Sequence, residues 1–300
     1  MIRANVGTYS RQVGDVTVTA LLDGQFEGTT SLILGPPEAQ SEEWLRETSR
    51  HVPPRLSISC FLLEFADGSK ALFDGGCGHA FGPVAGLAPK ALASLGVKPE
   101  EIATILSSHA HPDHVVGLIE TDGSARYPNA EMAITEVEHA YWMSDANRDA
   151  APDAAKQFFD GARAGLNAYA AKTRHFKDGE EVMPGIEAVF LPGHTPGHTG
   201  FILRSGSEAL FIWADVVHVP GIQYAHPEAA VSFDVDPPAA RESRKRAFDR
   251  ASADKMLVAG IHHDFPLFGH LRPHGQAFAW HAEVWSPMAP AWSTKQRSAG

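Results

Sequence analysis

The segment SSHAHPDHVVG, Ser107 to Gly117, crowds three histidines and one aspartate into six positions, directly after the apolar run at residues 102–106. Imidazole and carboxylate are costly to bury unless they are paired or bound to something. A solvated surface loop has no need of this spacing. His109 and His111 alternate along an extended segment and so share one face. Asp113 and His114 lie past Pro112, where the chain turns into a helix. A short buried strand that ends in such a cluster predicts a binding site at the strand's end.

Other strand ends carry the same chemistry. His194 follows the strand expected at residues 186–191, Asp215 follows residues 209–213, and His262 follows residues 256–259. With the first cluster, four strand ends deliver five imidazoles and two carboxylates. That is too many ligands for one tetrahedral ion. The set fits two divalent ions with a carboxylate bridging them and an exchangeable water between. A nitrogen and oxygen set without thiolate suits zinc and its borderline neighbours and argues against a structural zinc knot. Two-metal sites of that kind serve hydrolysis. No phosphate-cradling or dinucleotide motif appears, so no organic cofactor is expected.

The remaining pattern gives the fold class. Strands are expected at residues 16–22 and 130–134. Residues 57–76 form a hairpin around Asp67-Gly68, and residues 201–213 a second one. Helices are expected at residues 83–95, closed by Gly96, and at 136–143, 154–172 and 238–253. Intermixed strands and helices argue an α/β protein. With no repeat, linker or composition break, residues 1–300 read as one domain with short extensions at both ends. A chain of this length, 44% hydrophobic, can bury a core of good size. The net charge of −11 repels phosphate backbones and excludes nucleic acid as a partner. No apolar run is long enough to span a membrane, and the N-terminal stretch lacks a signal peptide's apolar region. The expected location is cytoplasmic. Cys60 and Cys77 make no disulfide framework.

The HAHPDH motif, with His194, Asp215 and His262 after it, resembles the metallo-β-lactamase superfamily. That family folds as a four-layer αββα sandwich with its metals at one edge. A closer resemblance covers most of the chain. FGPVAG, HAHPDHVVGL, YWMSDAN, GHTPGHT, WADVVHVPGIQYAHPE and IHHDFPLFGHLRP are similar to the methyl parathion hydrolase branch. The resemblance implies His109, His111 and His194 on one metal. It implies Asp113, His114 and His262 on the other, with Asp215 bridging. It favours His262 over the adjacent His263. Zinc is the expected metal, with manganese, cobalt or iron as substitutes. Phe81, Trp142, Phe158 and Phe159 match aromatic positions that line the family's substrate cleft, each with core packing as its competing role.

Asp74 in FDGG, His198 in GHTPGHT and His270 read as supports for the ligands, since a metal-bound histidine needs a partner on its other nitrogen. Asp113 and Asp215 are expected to serve catalysis as well as metal binding. His218, three residues after Asp215, departs from the resemblance: lactonases of the superfamily carry a tyrosine there, and the parathion-hydrolase branch an aliphatic residue. It is either a loop histidine bonded to a carbonyl or a proton donor facing the metals. The activity expected is hydrolysis of a small apolar ester or lactone, arylesterase in type, with organophosphate triester cleavage as a side activity. The alternatives are an acyl-homoserine lactonase, a thiolester hydrolase or iron-dependent sulfur oxygenase, and a non-catalytic metal-binding protein. The partner is a small-molecule substrate, and the family resemblance suggests a homodimer.

Overall fold

The strand Arg55–Glu64 shows how the sequence builds the layers. Its residues LSISCFLL are a near-continuous apolar run, the signature of a strand covered on both faces. Phe61 and Leu63 point one way and pack with Val18, Ala20, Phe73, Phe201, Leu203 and Ile212 between two sheets. Cys60 and Leu62 point the other way, into Ala88, Leu92, Ala162 and Leu166 of the covering helices. Loss of a fully buried ring such as Phe61, truncated to alanine, costs about 3–5 kcal/mol.

The computed structural model describes residues 7–284. Its first sheet has seven strands in the order Thr8–Val13, Val16–Glu27, Arg55–Glu64, Lys70–Phe73, Ile102–Leu106, Glu131–Thr135 and Thr173–Phe176. The first four run antiparallel, and from Lys70–Phe73 onward the pairings are parallel. The second sheet also has seven, in the order Ala277–Ala282, Phe268–His274, Leu257–Ala259, Glu208–Ile212, Thr199–Ser205, Ile186–Phe190 and Glu181–Met183. Within it only Glu208–Ile212 and Leu257–Ala259 pair in parallel. Ala247, Phe248 and Ala251 of the helix Pro237–Ala253 cover its outer face against Ile202, Phe211 and Val258. The order of layers is therefore helix, sheet, sheet, helix.

Local signals placed some elements closely. The helix Glu136–Met143 begins where Thr135 accepts a hydrogen bond from Glu138 N at 3.1 Å, an N-cap. Others differ from expectation. Residues 83–95 are not one helix: a 3₁₀ turn, Gly82–Val84, is separated from the helix Ala88–Ser94 by Gly86 at φ +83°. The helix expected over 154–172 ends at Ala168 and continues as a 3₁₀ turn, Ala170–Lys172. The N-terminal segment is more than an extension, since Thr8–Val13 is a full strand of the first sheet.

The helix Glu38–Glu47 and the paired strands Ile33–Leu34 and Ala230–Val231 were not evident from the pattern. They join two segments far apart in sequence, with Leu32, Leu45, Val219 and Ile222 in a shared core. This pairing walls one side of the site. Among the described residues no helix is long and apolar enough to cross a membrane.

Candidate metal centre

Parallel strands all present their C-terminal ends on one edge, where α/β proteins commonly bind ligands. Asp74 leaves Lys70–Phe73, and the HAHPDH segment leaves Ile102–Leu106 beside it. Across the sandwich, Asp215 and His262 leave the second parallel pair, Glu208–Ile212 and Leu257–Ala259. His194 arrives from the turn after Ile186–Phe190. His111 precedes a proline and is held extended, at φ −62° and ψ 152°. Pro112 then opens the short helix Pro112–Val115, so Asp113 and His114 turn away from the face of His109 and His111.

The seven residues meet. His109, His111 and His194 form one tight group, and Asp113, His114 and His262 another, each with ligand atoms within 4.8 Å of one another. His111 Nδ1 lies 3.1 Å from His109 Nε2 and 2.9 Å from His194 Nε2. Asp215 Oδ2 stands between the groups, 3.0 Å from His262 Nε2, 3.3 Å from His194 Nε2 and 3.4 Å from His114 Nε2.

The outer nitrogens decide what these inner atoms can be. His194 Nδ1 donates to Asp234 Oδ1 at 2.8 Å, His114 Nδ1 to Asp74 Oδ2 at 2.8 Å, and His262 Nδ1 to the Ser57 carbonyl at 2.6 Å. Ser108 Oγ donates to Asp74 Oδ2 and so accepts from His109 Nδ1 at 2.9 Å. With Nδ1 held by these acceptors, each ring turns Nε2 inward, a lone pair once the ring is neutral. Two such lone pairs face His111 Nδ1, which has at most one proton to share. His262 Nε2 faces a carboxylate oxygen, and His114 Nε2 and Asp215 Oδ1 are buried with no hydrogen-bond partner. Converging lone pairs and carboxylates with nothing between them repel. Divalent cations satisfy them, so the donor set fits the metals expected from the sequence.

The electrostatics divide the ligand rings. Burial, reinforced by neighbouring imidazoles, drives His109 and His111 well below the usual histidine range and keeps them neutral. Burial pushes Asp215 up, but His262, His114, His218 and His109 outweigh it and hold the carboxyl well below its usual range. For His194, burial opposes the charge, yet Asp215 and Asp234 lift the pKa to about 9. Against burial, Asp215 and Asp113 likewise raise His114 and His262, and it is the protons on these three rings that cations would displace.

His198 is not among the inward-facing donors. Its Nδ1 bonds the Leu191 carbonyl at 3.0 Å, and its Nε2 accepts from Asp215 N at 3.1 Å, so it positions the Asp215 backbone. His263 is likewise occupied, between Tyr224 Oη at 2.7 Å and the Leu267 carbonyl. His270 corrects the sequence reading: it bonds the Met256 carbonyl at 2.8 Å and shares no hydrogen bond with the cluster. His218 is buried at the cluster, with Nε2 3.1 Å from Asp215 Oδ2 and its ring stacked on His262. Among the described residues neither ring nitrogen bonds a carbonyl, and Asp215 is the polar group that Nε2 faces. Only its backbone is tied, to Gln223 Oε1 at 2.7 Å.

A cavity of about 270 Å³ opens over the cluster. His111, Asp113, His194, Asp215, His218 and His262 form its floor. Phe81, Phe26, Phe233 and Phe158 follow one another around the wall, with successive ring centroids 5.9, 6.5 and 6.5 Å apart. Phe81 and Phe158, expected at a substrate cleft, line this cavity. Trp142 does not. It is buried behind His111, its Nε1 donating to Glu138 Oε1 at 2.6 Å, and Phe159 packs on it in the core.

Three functional groups escaped the sequence reading. Asp234 and the Ser57 carbonyl orient ligands, and buried Glu138 ties the ligand loops together. Glu138 stands three residues after a threonine that opens a helix, so a capping reading hides its role. Phe26 and Phe233 carried no motif at all.

Residues 53–262 match the family described as Metallo-beta-lactamase superfamily. An N-acyl homoserine lactonase of Bacillus cereus is 26% identical over 121 residues, 40% of this chain and 40% of that one. An N-acyl homoserine lactonase of Bacillus thuringiensis is 25% identical over 186 residues, 60% of each chain. The chain thus matches about half the length of these curated relatives. Among solved structures, the hydrolase AbOPH in the beta lactamase superfamily superposes with a TM-score of 0.89 at 29% identity, covering 95% of this chain and 100% of that one. AidC, a dizinc quorum-quenching lactonase in complex with a product, superposes with a TM-score of 0.88 at 25% identity, covering 94% and 99%.

Proposed function

The chain belongs to the metallo-beta-lactamase superfamily, and on that premise we propose that it is a dinuclear metal-dependent hydrolase of small, uncharged esters and lactones. N-acyl homoserine lactones lead the candidates, because the similar proteins include lactonases of that type. Organophosphate triesters are a side activity of the same site. The observation that carries the reading is the convergence of inward lone pairs, each fixed by a bonded outer nitrogen, beneath an open aromatic cavity. An open cavity above such a cluster favours catalysis over metal storage.

His109, His111 and His194 would hold one ion, Asp113, His114 and His262 the other, with Asp215 between. Two divalent ions, zinc first among them, supply a water ionised near neutral pH and Lewis acidity toward a carbonyl or phosphoryl oxygen. The chain's own part is orientation and exclusion. Asp234, Asp74 and the Ser57 carbonyl lock the ring tautomers, so no donor has to reorganise during the reaction. The phenylalanine wall binds the apolar part of the substrate and keeps bulk water away. His218 holds a proton beside the reacting oxygens and shares it with the forming oxyanion or the leaving alkoxide.

The test is metal content joined to a substrate panel. Protein purified without chelator is expected to carry close to two equivalents of divalent metal. The metal-replete protein is expected to cleave aryl esters and lactones, acyl-homoserine lactones included, and a phosphotriester more slowly. It should leave a cephalosporin largely untouched, because among the described residues no Lys or Arg lines the cavity to hold its carboxylate. A single metal equivalent that does not rise on adding zinc, manganese or cobalt refutes the dinuclear reading.

A further inference from the structure

Apart from the residues of the metal cluster and His218, the cavity lining is Phe26, Leu56, Ile58, Phe81, Pro112, Phe158, Phe233 and one polar side chain, Gln157. Gln157 sits on the helix Asp153–Ala168 at the exposed rim, next to Phe158, whose ring lies 5.6 Å from that of His111. The orientation of its amide is fixed by chemistry. Nε2 donates to the Ala154 carbonyl at 3.1 Å, and a carbonyl can only accept, so the NH₂ must face it. Oε1 then has no protein partner. Among the described residues the cavity wall therefore offers a substrate one polar side chain besides the cluster and His218, and its unbonded atom is an acceptor.

An acceptor selects for a donor. Plain esters, lactones and phosphotriesters carry oxygens but no N–H. A lactone with an acylamino substituent carries one N–H, set back from the scissile carbonyl, with an acyl chain suited to the phenylalanine wall. We infer that Gln157 is the specificity-determining residue of this site, and that its Oε1 accepts from the amide N–H of acylamino-substituted lactones. This rests on the esterase and lactonase reading above and narrows it to a substrate feature that the metal cluster itself cannot read.

The experiment compares kcat/KM for an α-acylamino-γ-lactone with that for an α-alkyl-γ-lactone of equal chain length, on metal-replete enzyme. The ratio between the two is the readout. The wild-type protein is expected to favour the acylamino substrate. Gln157→Met, close in shape and without the acceptor, is expected to lower the ratio about three- to tenfold, the span of one net hydrogen bond. Methylation of the substrate's amide nitrogen should cost the wild-type protein the same factor and Gln157→Met nothing. An unchanged ratio in Gln157→Met, with lactones still cleaved and two metals bound, overturns this inference alone. No turnover of any ester or lactone by the metal-replete wild-type protein overturns the hydrolase reading and this inference with it.

Discussion

A carboxylate on the far nitrogen of an imidazole does two things at once: it fixes the tautomer and makes the near nitrogen a better ligand. Asp234 does this for His194 at 2.8 Å. Asp234→Ala should fold, because His194 remains packed by its neighbours, but its metal affinity should fall about ten- to a hundredfold. Competition with a calibrated chelator measures the fall. His218 poses a different residue-scale question. Burial, only partly offset by Asp215, depresses its pKa to about 4, so the ring is neutral at working pH and keeps a single N–H. His218→Leu should depress turnover of lactones and alkyl esters, whose leaving groups are poor, by about ten- to a thousandfold, a range reaching slightly below the usual span of acid–base help. Aryl ester turnover should hold or rise, since a nitrophenolate departs unaided. Equal losses on both classes, with metal content intact, would show that His218 only packs.

At the scale of elements, the site depends on a helix that supplies no ligand. Glu138 lies within Glu136–Met143, and its Oε1 accepts from Ala110 N at 3.0 Å and from Trp142 Nε1 at 2.6 Å. Its Oε2 accepts from Thr195 Oγ1 at 2.6 Å and from Gly197 N at 2.9 Å. One carboxylate thus staples the loop of His109 and His111 to the loop of His194. The approach is close enough that a Cβ on Gly197 would come within 2.5 Å of Glu138 N. Glu138→Gln turns one acceptor into a donor facing donors. It should cost about 1–3 kcal/mol, the price of buried groups left unmade. Thermal unfolding reads that cost, and a lower metal affinity should accompany it because both loops lose their common anchor. A variant with unchanged melting temperature and metal content would show that the staple is dispensable.

For the whole molecule, acid sensitivity follows from histidines buried as neutral rings. Burial is the main cause that pulls His263 down to about 3, below its ordinary 6.5. Below the unfolded value the unfolded chain takes up a proton that the folded chain refuses. The stability linked to His263 is therefore fully present above about pH 6.5 and is lost as the pH falls toward about 3. The melting temperature of the wild-type protein should drop over that window. His263→Asn should be less stable at neutral pH, and the gap between the two should narrow on acidification. A gap constant with pH would mean that His263 titrates alike in both states.

What the sequence determined by itself was whatever short-range spacing encodes. The α/β class followed from strand and helix periodicities, and the residues that meet at the edge followed from polar clusters at the ends of apolar runs. Both are properties of a few consecutive residues: extended chain sets His109 and His111 on one face, and Pro112 turns Asp113 and His114 off it. Tertiary structure alone decided the rest. Asp234, Phe26 and Phe233 act from segments with no periodic or motif signal, and Ser57 and Glu138 lie in expected elements whose local pattern says nothing of the partners they meet; the pairing of Ile33–Leu34 with Ala230–Val231 and the closing of the two sheets bring them in. Trp142 marks the limit most plainly. Helical spacing offers it a buried face, but whether that face meets substrate or core depends on what packs there, and here Glu138 and Phe159 fill the place.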